Sequence, residues 1–166
     1  MHAEARDFVA RVLGELPARR TVIEFGARNV NGAVRDLLGD AVYLGVDRLP
    51  GIGVDVVCDA ADFNVRGHID TVLCLEVLEH AANAAALVAN AGRILEPGGV
   101  FIATMATDPR APHSALDGGR LASSEFYHNV TLGELADWVT AAGLRAGTYE
   151  CHSDRGDLYV WAVKED

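Results

Sequence analysis

Residues 21–47 read TVIEFGARNVNGAVRDLLGDAVYLGVD, and this stretch decides the fold. The β-branched and aromatic run at 21–25 ends in a glycine, which is typical of a buried strand. Apolar residues at helical spacing predict a short helix over 34–38, and the run at 41–46 predicts a second strand that ends at Asp47. A strand, a glycine turn, a helix and another strand together predict the first unit of a parallel α/β sheet.

The same alternation of hydrophobic periods continues along the chain. Further strands are predicted at 54–58, 69–75, 100–104, 147–151 and 158–163, and further helices at 8–16, at 83–95 and from Thr131 onward. Thr131 and Glu134 have the spacing of a capping box, and Val130 and Leu135 that of a hydrophobic staple. No helical pattern separates the last two strands, so they predict an antiparallel pair. We therefore expect a doubly wound, mostly parallel seven-stranded α/β sheet with an antiparallel C-terminal hairpin, built as one domain over 1–166.

The composition is that of a globular protein and disfavours several classes of function. Half of the 166 residues are apolar and 23% are charged, and no apolar run approaches the roughly 20 residues that span a bilayer. The first residues are acidic, whereas a signal peptide begins with a basic segment. Cys58, Cys74 and Cys151 are odd in number and too widely spaced for a metal site, which indicates free thiols in a reducing compartment. These features predict a cytoplasmic protein without a membrane span. A formal charge of −10 disfavours general binding of nucleic acid.

Candidate ligand-binding residues follow the predicted strands, because the ligands of doubly wound sheets lie beyond the carboxyl ends of the strands. Gly26 and Gly32 permit close approach of a ligand to the backbone, although a tight turn would need the same glycines. Asp47 lies about 20 residues after Gly26, where nucleotide-binding domains place an acid that accepts from ribose hydroxyls. Alternatively, Asp47 is a turn acid. Asp59 has the position either to accept from an adenine amine or to cap the segment that follows it.

Five motifs in a fixed order resemble those of the class I S-adenosylmethionine-dependent methyltransferases. They are Glu24-Phe-Gly26, Tyr43-Leu-Gly-Val-Asp47, Cys58-Asp59-Ala60, the run DTVLCLEVLEH from Asp70 to His80, and Arg93-Ile-Leu-Glu-Pro97-Gly98-Gly99. The resemblance covers about residues 20 to 105 and is specific through the order of the motifs. It implies a Rossmann-like methyltransferase fold and S-adenosyl-L-methionine as the cofactor. The cofactor-binding residues that it implies are Glu24, Gly26, Ala27, Arg28, Asp47, Arg48, Asp59, Ala60, Leu75 and Glu76.

The first motif departs from the family pattern. Arg28 and Val30 stand where the family has its second and third glycines, so the loop must take a different path. Arg28 is a candidate partner for the methionine carboxylate of the cofactor, or else a solvated loop arginine. A dinucleotide-dependent oxidoreductase would need Gly-x-Gly-x-x-Gly at this place, and Gly26-x-Arg28-x-x-Asn31 departs from that pattern twice.

The stretch 106–129 is rich in Pro, Gly, Ser, His and Asp, and a long irregular stretch in a compact domain is usually functional. Methyl transfer is an in-line displacement, in which the protein positions the reactants and removes a proton when the nucleophile is a hydroxyl. His113 and His128 are therefore the candidate general bases, and each is alternatively a hydrogen-bonded loop histidine. The candidate acceptor-binding residues are His80, Asp117 and Tyr127.

The run Glu76-x-x-Glu79-His80 resembles a magnesium site of small-RNA 2′-O-methyltransferases and of ubiquinone-pathway O-methyltransferases. Oxygen ligands suit such a hard cation. The same residues also occur in relatives without metal, where they brace the cofactor pocket. The sequence is compatible with both interpretations.

The chain is short for this family, which predicts a small-molecule acceptor for O- or N-methylation, or a partner that completes the site. An alternative is a methyltransferase acting on a nucleic acid or a nucleotide, which a basic rim of Arg28, Arg110 and Arg120 would favour. A further alternative is a non-catalytic cofactor-binding module, which the lack of an open pocket at the acceptor end would favour. A monomer and a homodimer are both compatible with the sequence.

Overall fold

Seven strands form one mixed sheet in the computed structural model, which describes residues 2–17 and 20–166. The strands are β1 (Thr21–Phe25), β2 (Val42–Asp47), β3 (Val56–Val57), β4 (Thr71–Leu75), β5 (Val100–Ala106), β6 (Leu144–His152) and β7 (Asp157–Lys164). Their order across the sheet is β3-β2-β1-β4-β5-β7-β6. Strands β1 to β5 run parallel, whereas β7 pairs antiparallel with both β5 and β6. The predicted mostly parallel α/β sheet with an antiparallel C-terminal hairpin is confirmed.

Helices cover both faces of the sheet. They are α1 (Ala3–Glu15), α2 (Ala84–Ile94) and α3 (Leu132–Ala141). Leu87 of α2 and Leu135 of α3 are buried in one apolar cluster, and Phe8 of α1 is buried in a second cluster. The predicted capping box begins α3, because Thr131 Oγ1 accepts from the Glu134 N–H at 3.2 Å and the Glu134 carboxylate accepts from the Thr131 N–H at 2.9 Å. No helix within the described ranges is long and apolar enough to cross a membrane.

Strand β4 shows how the sheet separates the two apolar clusters. Its side chains are all buried. Val72 and Cys74 belong to the cluster under α2 and α3, and Leu73 and Leu75 belong to the cluster under α1. This alternation explains the continuous apolar run in the sequence, which is typical of central parallel strands that are covered on both faces.

The chain between β2 and β4 differs from its predicted form. The expected strand at 54–58 is reduced to Val56–Val57, and an irregular segment follows it over 58–70. The strand begins late because the Val54 N–H donates to the Gly51 carbonyl and closes a turn there. Similarly, the expected helix over 34–38 is a short 3₁₀ turn at Arg35–Leu37.

The strand order reverses between β1 and β4. From β1 the sheet continues to β2 on one side, and β4 follows on the other side. In open α/β sheets, ligands bind beyond the carboxyl ends of the strands at such a reversal. A ligand site is therefore expected beside the segments that follow β1, β2 and β4.

Candidate active site

A cleft of about 870 Å³ lies at the carboxyl ends of β1, β2 and β4. Small-molecule sites typically occupy about 300–1,000 Å³. The loop after β1 and the long loop after β5 both contribute to its walls. The residues predicted from the sequence that line it are Gly26, Arg28, Asp47, Arg48, Asp59, Ala60, Leu75, Glu76, His80 and His113. The structure thus brings most of the predicted cofactor residues together with two of the predicted acceptor-end residues.

Gly26 makes the sharp turn at the end of β1. Its φ of 77° lies in the left-handed region, and a Cβ at this position would lie 2.1 Å from Val77 Cγ2. The N–H groups of Gly26 and Ala27 both donate to the Val46 carbonyl, at 2.8 and 3.1 Å. Only glycine fits this turn, which leaves room for a ligand beside the backbone. Ala27 itself is buried and does not line the cleft.

Asp47 ends β2 with both carboxylate oxygens hydrogen-bonded to the backbone. Oδ2 accepts from the Arg28 N–H at 3.1 Å, and Oδ1 accepts from the Leu49 N–H at 2.9 Å. A carboxylate oxygen has two lone pairs, so each oxygen can still accept from a ligand hydroxyl. These bonds hold Asp47 at the cleft wall, so the turn-acid and ribose-binding interpretations are compatible with each other.

Asp59 and Ala60 enter the cleft from the irregular segment after β3. Asp59 Oδ1 accepts from the Ala61 N–H at 2.9 Å, which closes a local turn. The Asn83 side-chain amide donates to Asp59 at 3.3 Å, and Arg48 Nε lies 4.0 Å from Asp59 Oδ2. The carboxylate is therefore held by its own loop and by a residue that precedes α2.

Arg28 connects the two loops that line the cleft. Its Nη2 donates to the carbonyls of Ala115 at 3.0 Å and Leu116 at 3.3 Å. Those carbonyls belong to the long loop after β5. The guanidinium is thus neither free in solvent nor without partners, and it holds the loop after β5 against the loop after β1.

Glu24 lies in the sheet rather than in the cleft. Its side chain is 7% exposed, and its Oε2 accepts from the Tyr43 hydroxyl at 2.5 Å. Burial raises the pKa of Glu24 to about 7, against opposing contributions from the Tyr43 hydrogen bond and the Arg35 charge. Glu24 therefore shapes the strand that precedes the turn at Gly26, and it does not line the cleft itself.

Glu76 presents an available acceptor atom at the end of β4. It has a left-handed φ of 57°, which is uncommon for a residue with a side chain. Its Oε1 is buried and has no partner within the described part of the chain, while its Oε2 lies 3.3 Å from His2 Nε2. A buried acceptor without a donor is costly unless a ligand or water supplies one. This atom and the turn at Gly26 fit a bound cofactor that carries hydrogen-bond donors.

His2 is a cleft residue that the sequence analysis missed, and Arg110, which it considered only for a basic rim, also lines the cleft. His2 Nε2 lies 2.7 Å from Arg110 Nη1. Arg110 also pairs with the buried carboxylate of Asp157 and donates through Nε to the Arg155 carbonyl at 3.1 Å. These contacts join segments far apart in the sequence, and no local pattern signals them.

His80, His113 and Tyr127 form a cluster of three rings at the acceptor end. The centroid distances are 4.9 Å for His80–His113, 5.4 Å for His80–Tyr127 and 5.0 Å for His113–Tyr127. Burial, with the neighbouring His113, lowers the pKa of His80 to about 4, so His80 is neutral near neutral pH. His113 Nδ1 lies 3.2 Å from the Ala111 carbonyl, which can only accept a hydrogen bond. Neutral His113 therefore carries its lone pair on Nε2.

Glu79 lies against this cluster and is fully buried. Its Oε1 accepts from the Ala106 N–H at 3.2 Å, and its Oε2 has no partner among the described residues. Burial, reinforced by the charge of Glu76, raises the pKa of Glu79 well above its usual range. Ligand atoms of Glu79, His80 and His113 all lie within 4.8 Å of one another. This donor set suits one divalent cation. Glu76, which the magnesium-site resemblance would add, is not part of it.

The other predicted acceptor-end residues lie outside the lining of the cleft. His128 Nε2 lies 3.0 Å from Glu134 Oε1 in a smaller groove, which matches the alternative of a hydrogen-bonded loop histidine. Asp117 Oδ1 accepts from the Gly119 N–H at 2.8 Å within a turn. The Tyr127 hydroxyl donates to the Asn129 side chain at 3.0 Å, and the Tyr127 ring packs against the two histidines of the cluster.

Comparison with known proteins connects this site to a family. Residues 1–147 match a family model described as a methyltransferase domain. The ubiquinone biosynthesis O-methyltransferase of Pseudomonas aeruginosa (strain LESB58) is 30% identical over 105 residues, which are 57% of this chain and 45% of that protein. The chain therefore spans less than half the length of this curated relative.

Solved structures share the fold over nearly the whole chain. The Burkholderia thailandensis 1,6-didemethyltoxoflavin-N1-methyltransferase, with 1,6-didemethyltoxoflavin and S-adenosylhomocysteine bound, aligns with a TM-score of 0.72 at 20% identity, over 99% of this chain and 78% of that one. The Haemonchus contortus phosphoethanolamine N-methyltransferase 2, in complex with S-adenosyl-L-methionine, aligns with a TM-score of 0.74 at 14% identity, over 99% of this chain and 53% of that one. These similarities show the Rossmann-like fold.

Proposed function

Because this chain belongs to the class I S-adenosylmethionine-dependent methyltransferases, we propose that it transfers a methyl group from S-adenosyl-L-methionine to a small-molecule acceptor. The observation that carries the proposal is one continuous cleft. Residues that follow β1, β2 and β3 line it together with His80 and His113. The proposal takes residues 1–166 as one catalytic domain.

The cofactor half of the cleft is lined by the carboxylates of Asp47, Asp59 and Glu76 and by the turn at Gly26. When bound, the cofactor supplies an electrophilic methyl group on a sulfonium. Asp47 would accept from the two ribose hydroxyls, since both of its oxygens retain a lone pair. Asp59 and Ala60 would bind the adenine. The unpartnered Glu76 Oε1 would accept from a donor on the methionine portion.

The acceptor half supplies a proton acceptor. With Nδ1–H donating to the Ala111 carbonyl, His113 has a lone pair on Nε2 with which it would take a proton from the acceptor. His80 stays neutral beside it, because burial keeps its pKa near 4. A neutral neighbour avoids the repulsion that a second cation would impose on protonated His113. We therefore assign the general base to His113 and leave His128, which pairs with Glu134, out of the mechanism.

Several contacts favour a small acceptor over a nucleic acid. The Arg28 guanidinium donates to loop carbonyls, and Arg110 pairs with buried Asp157. Both arginines point to protein partners, so they do not form the exposed basic rim with Arg120 that a phosphate backbone would need. The open cleft beside His113 argues against a purely non-catalytic module.

Direct binding and transfer measurements test this proposal. Calorimetry should show binding of S-adenosylhomocysteine and no binding of NAD. Incubation with radiolabelled S-adenosyl-L-methionine should then label compounds of a small-molecule hydroxyl and amine library in preference to RNA or DNA of mixed sequence. Binding of NAD alone would contradict the cofactor assignment, and label found only in nucleic acid would contradict the acceptor class.

A further inference from the structure

The irregular segment between β3 and β4 forms one wall of the cleft, although it has no regular secondary structure. We define residues 59–64 as the adenine loop, since Asp59 and Ala60 are the members that line the cleft. A loop without its own helical or sheet hydrogen bonds needs other partners for its backbone carbonyls.

Asn90 of α2 supplies two of these partners. Asn90 is 4% exposed, and its side-chain amide donates to the Ala60 carbonyl at 2.6 Å and to the Phe63 carbonyl at 2.9 Å. Both N–H groups of this amide are thus used within the adenine loop. Asn90 does not line the cleft.

Arg93 completes the arrangement one turn further along α2. Its Nε donates to Asn90 Oδ1 at 2.9 Å, and its Nη2 donates to Asn90 Oδ1 at 2.6 Å and to the Phe63 carbonyl at 2.9 Å. Arg93 Nη1 also donates to the side chain of Asn64 at 3.3 Å. Because Arg93 holds the oxygen of Asn90, it fixes the orientation of the amide and points the two N–H groups at the loop.

We infer that Asn90 is a positioning residue for base recognition, because its two hydrogen bonds hold the adenine loop against α2 and so fix Asp59 at the cleft. This inference rests on the proposed function, in which Asp59 meets the adenine. A carboxylate accepts from the exocyclic amine of adenine, whereas hypoxanthine has a carbonyl at that position and offers no such donor. The preference for adenine therefore depends on how firmly the carboxylate is placed.

The test measures base selectivity by calorimetry, as the ratio of the dissociation constants of S-inosylhomocysteine and S-adenosylhomocysteine. We expect the unmodified chain to prefer the adenine compound by about 10- to 100-fold, the scale of one hydrogen bond to a charged group. Asn90→Ala should reduce this preference by about fivefold or more. Arg93→Ala leaves Asn90 in place but removes the hydrogen bonds that orient its amide, so it should also reduce the preference. This variant supplies the readout if Asn90→Ala does not fold.

A matched control separates positioning from a general loss of stability. Val139→Ala removes a buried side chain of α3, in the apolar cluster that also includes Ala60 and Phe63, but breaks no hydrogen bond of the adenine loop. It should lower the urea midpoint while leaving the ratio unchanged. The inference would be overturned by an unchanged ratio in both Asn90→Ala and Arg93→Ala. An equal loss of preference in Val139→Ala would also overturn it. If the unmodified chain bound neither compound, the proposed function would fall as well, whereas tight binding with unaltered selectivity in the variants would overturn the role of Asn90 alone.

Discussion

Replacing Glu24 by glutamine should change how the stability of the protein depends on pH. Burial raises the pKa of Glu24 from its ordinary value of 4.5 to about 7 in the folded chain. Between these two values the folded state keeps a proton that the unfolded state has lost. The stabilising effect of that proton is fully present below about pH 4.5 and is lost as the pH rises through about 7. Glutamine cannot titrate, so the variant lacks this dependence.

The size of the effect follows from the two pKa values. At about 1.4 kcal/mol per tenfold change in binding of the proton, the full difference corresponds to about 3 kcal/mol, and about 2 kcal/mol of it falls between about pH 5 and about pH 8. Other titrating groups, including Glu79 and His80, are common to both proteins and cancel in the comparison. The free energy of unfolding of the natural chain should therefore fall by about 2 kcal/mol more than that of Glu24→Gln over this range.

Urea unfolding followed by tryptophan fluorescence at several pH values measures this difference. Tyr43→Phe is the matched control, because it removes the hydroxyl that donates to Glu24 and lowers its pKa. That variant should show a pH dependence at least as steep as the natural chain. Parallel stability curves for the natural chain and Glu24→Gln would refute the assignment of a proton to buried Glu24.

Four further substitutions test the cleft and the turn beside it. Asp47→Ala should weaken binding of S-adenosylhomocysteine by about 1.5–3 kcal/mol, measured by calorimetry, and an unchanged dissociation constant would leave Asp47 as a turn acid only. His113→Ala should lower turnover by about 100-fold or more with nearly unchanged cofactor affinity, whereas His128→Ala should leave both nearly unchanged; the opposite pattern would exchange their roles. Gly26→Ala should destabilise the fold by about 2 kcal/mol or more in urea unfolding, since its Cβ would overlap Val77; a smaller loss would mean that the turn relaxes at little cost.

The elements that the sequence predicted best are those with a strong local signal. The apolar run at β4 and the Thr131–Glu134 capping box were both interpreted correctly, because burial on two faces and cap chemistry leave direct marks in the order of residues. The segment after β3 carries no such local signal, since its form depends on carbonyl partners supplied by Asn90, about 30 residues further along the chain.

The residues of the candidate site also differ in whether the sequence could predict them. Asp47 and Gly26 could be found because they follow strands, and the fold type dictates that strand ends meet. His2 could not be found, since its position beside Glu76 and Arg110 depends on long-range contacts. Glu24 belongs to a recognisable motif, but the alternation of side chains along β1 directs it to Tyr43 and away from the cleft.

The two hydrogen bonds of Arg28 tie together loops that lie far apart in the sequence. They join the loop after β1 to Ala115 and Leu116 in the loop after β5, so the two loops cannot separate at this point without breaking both. Hydrogen bonds of this kind contribute about 1 kcal/mol each. Any movement of one loop therefore acts on the other through this one side chain.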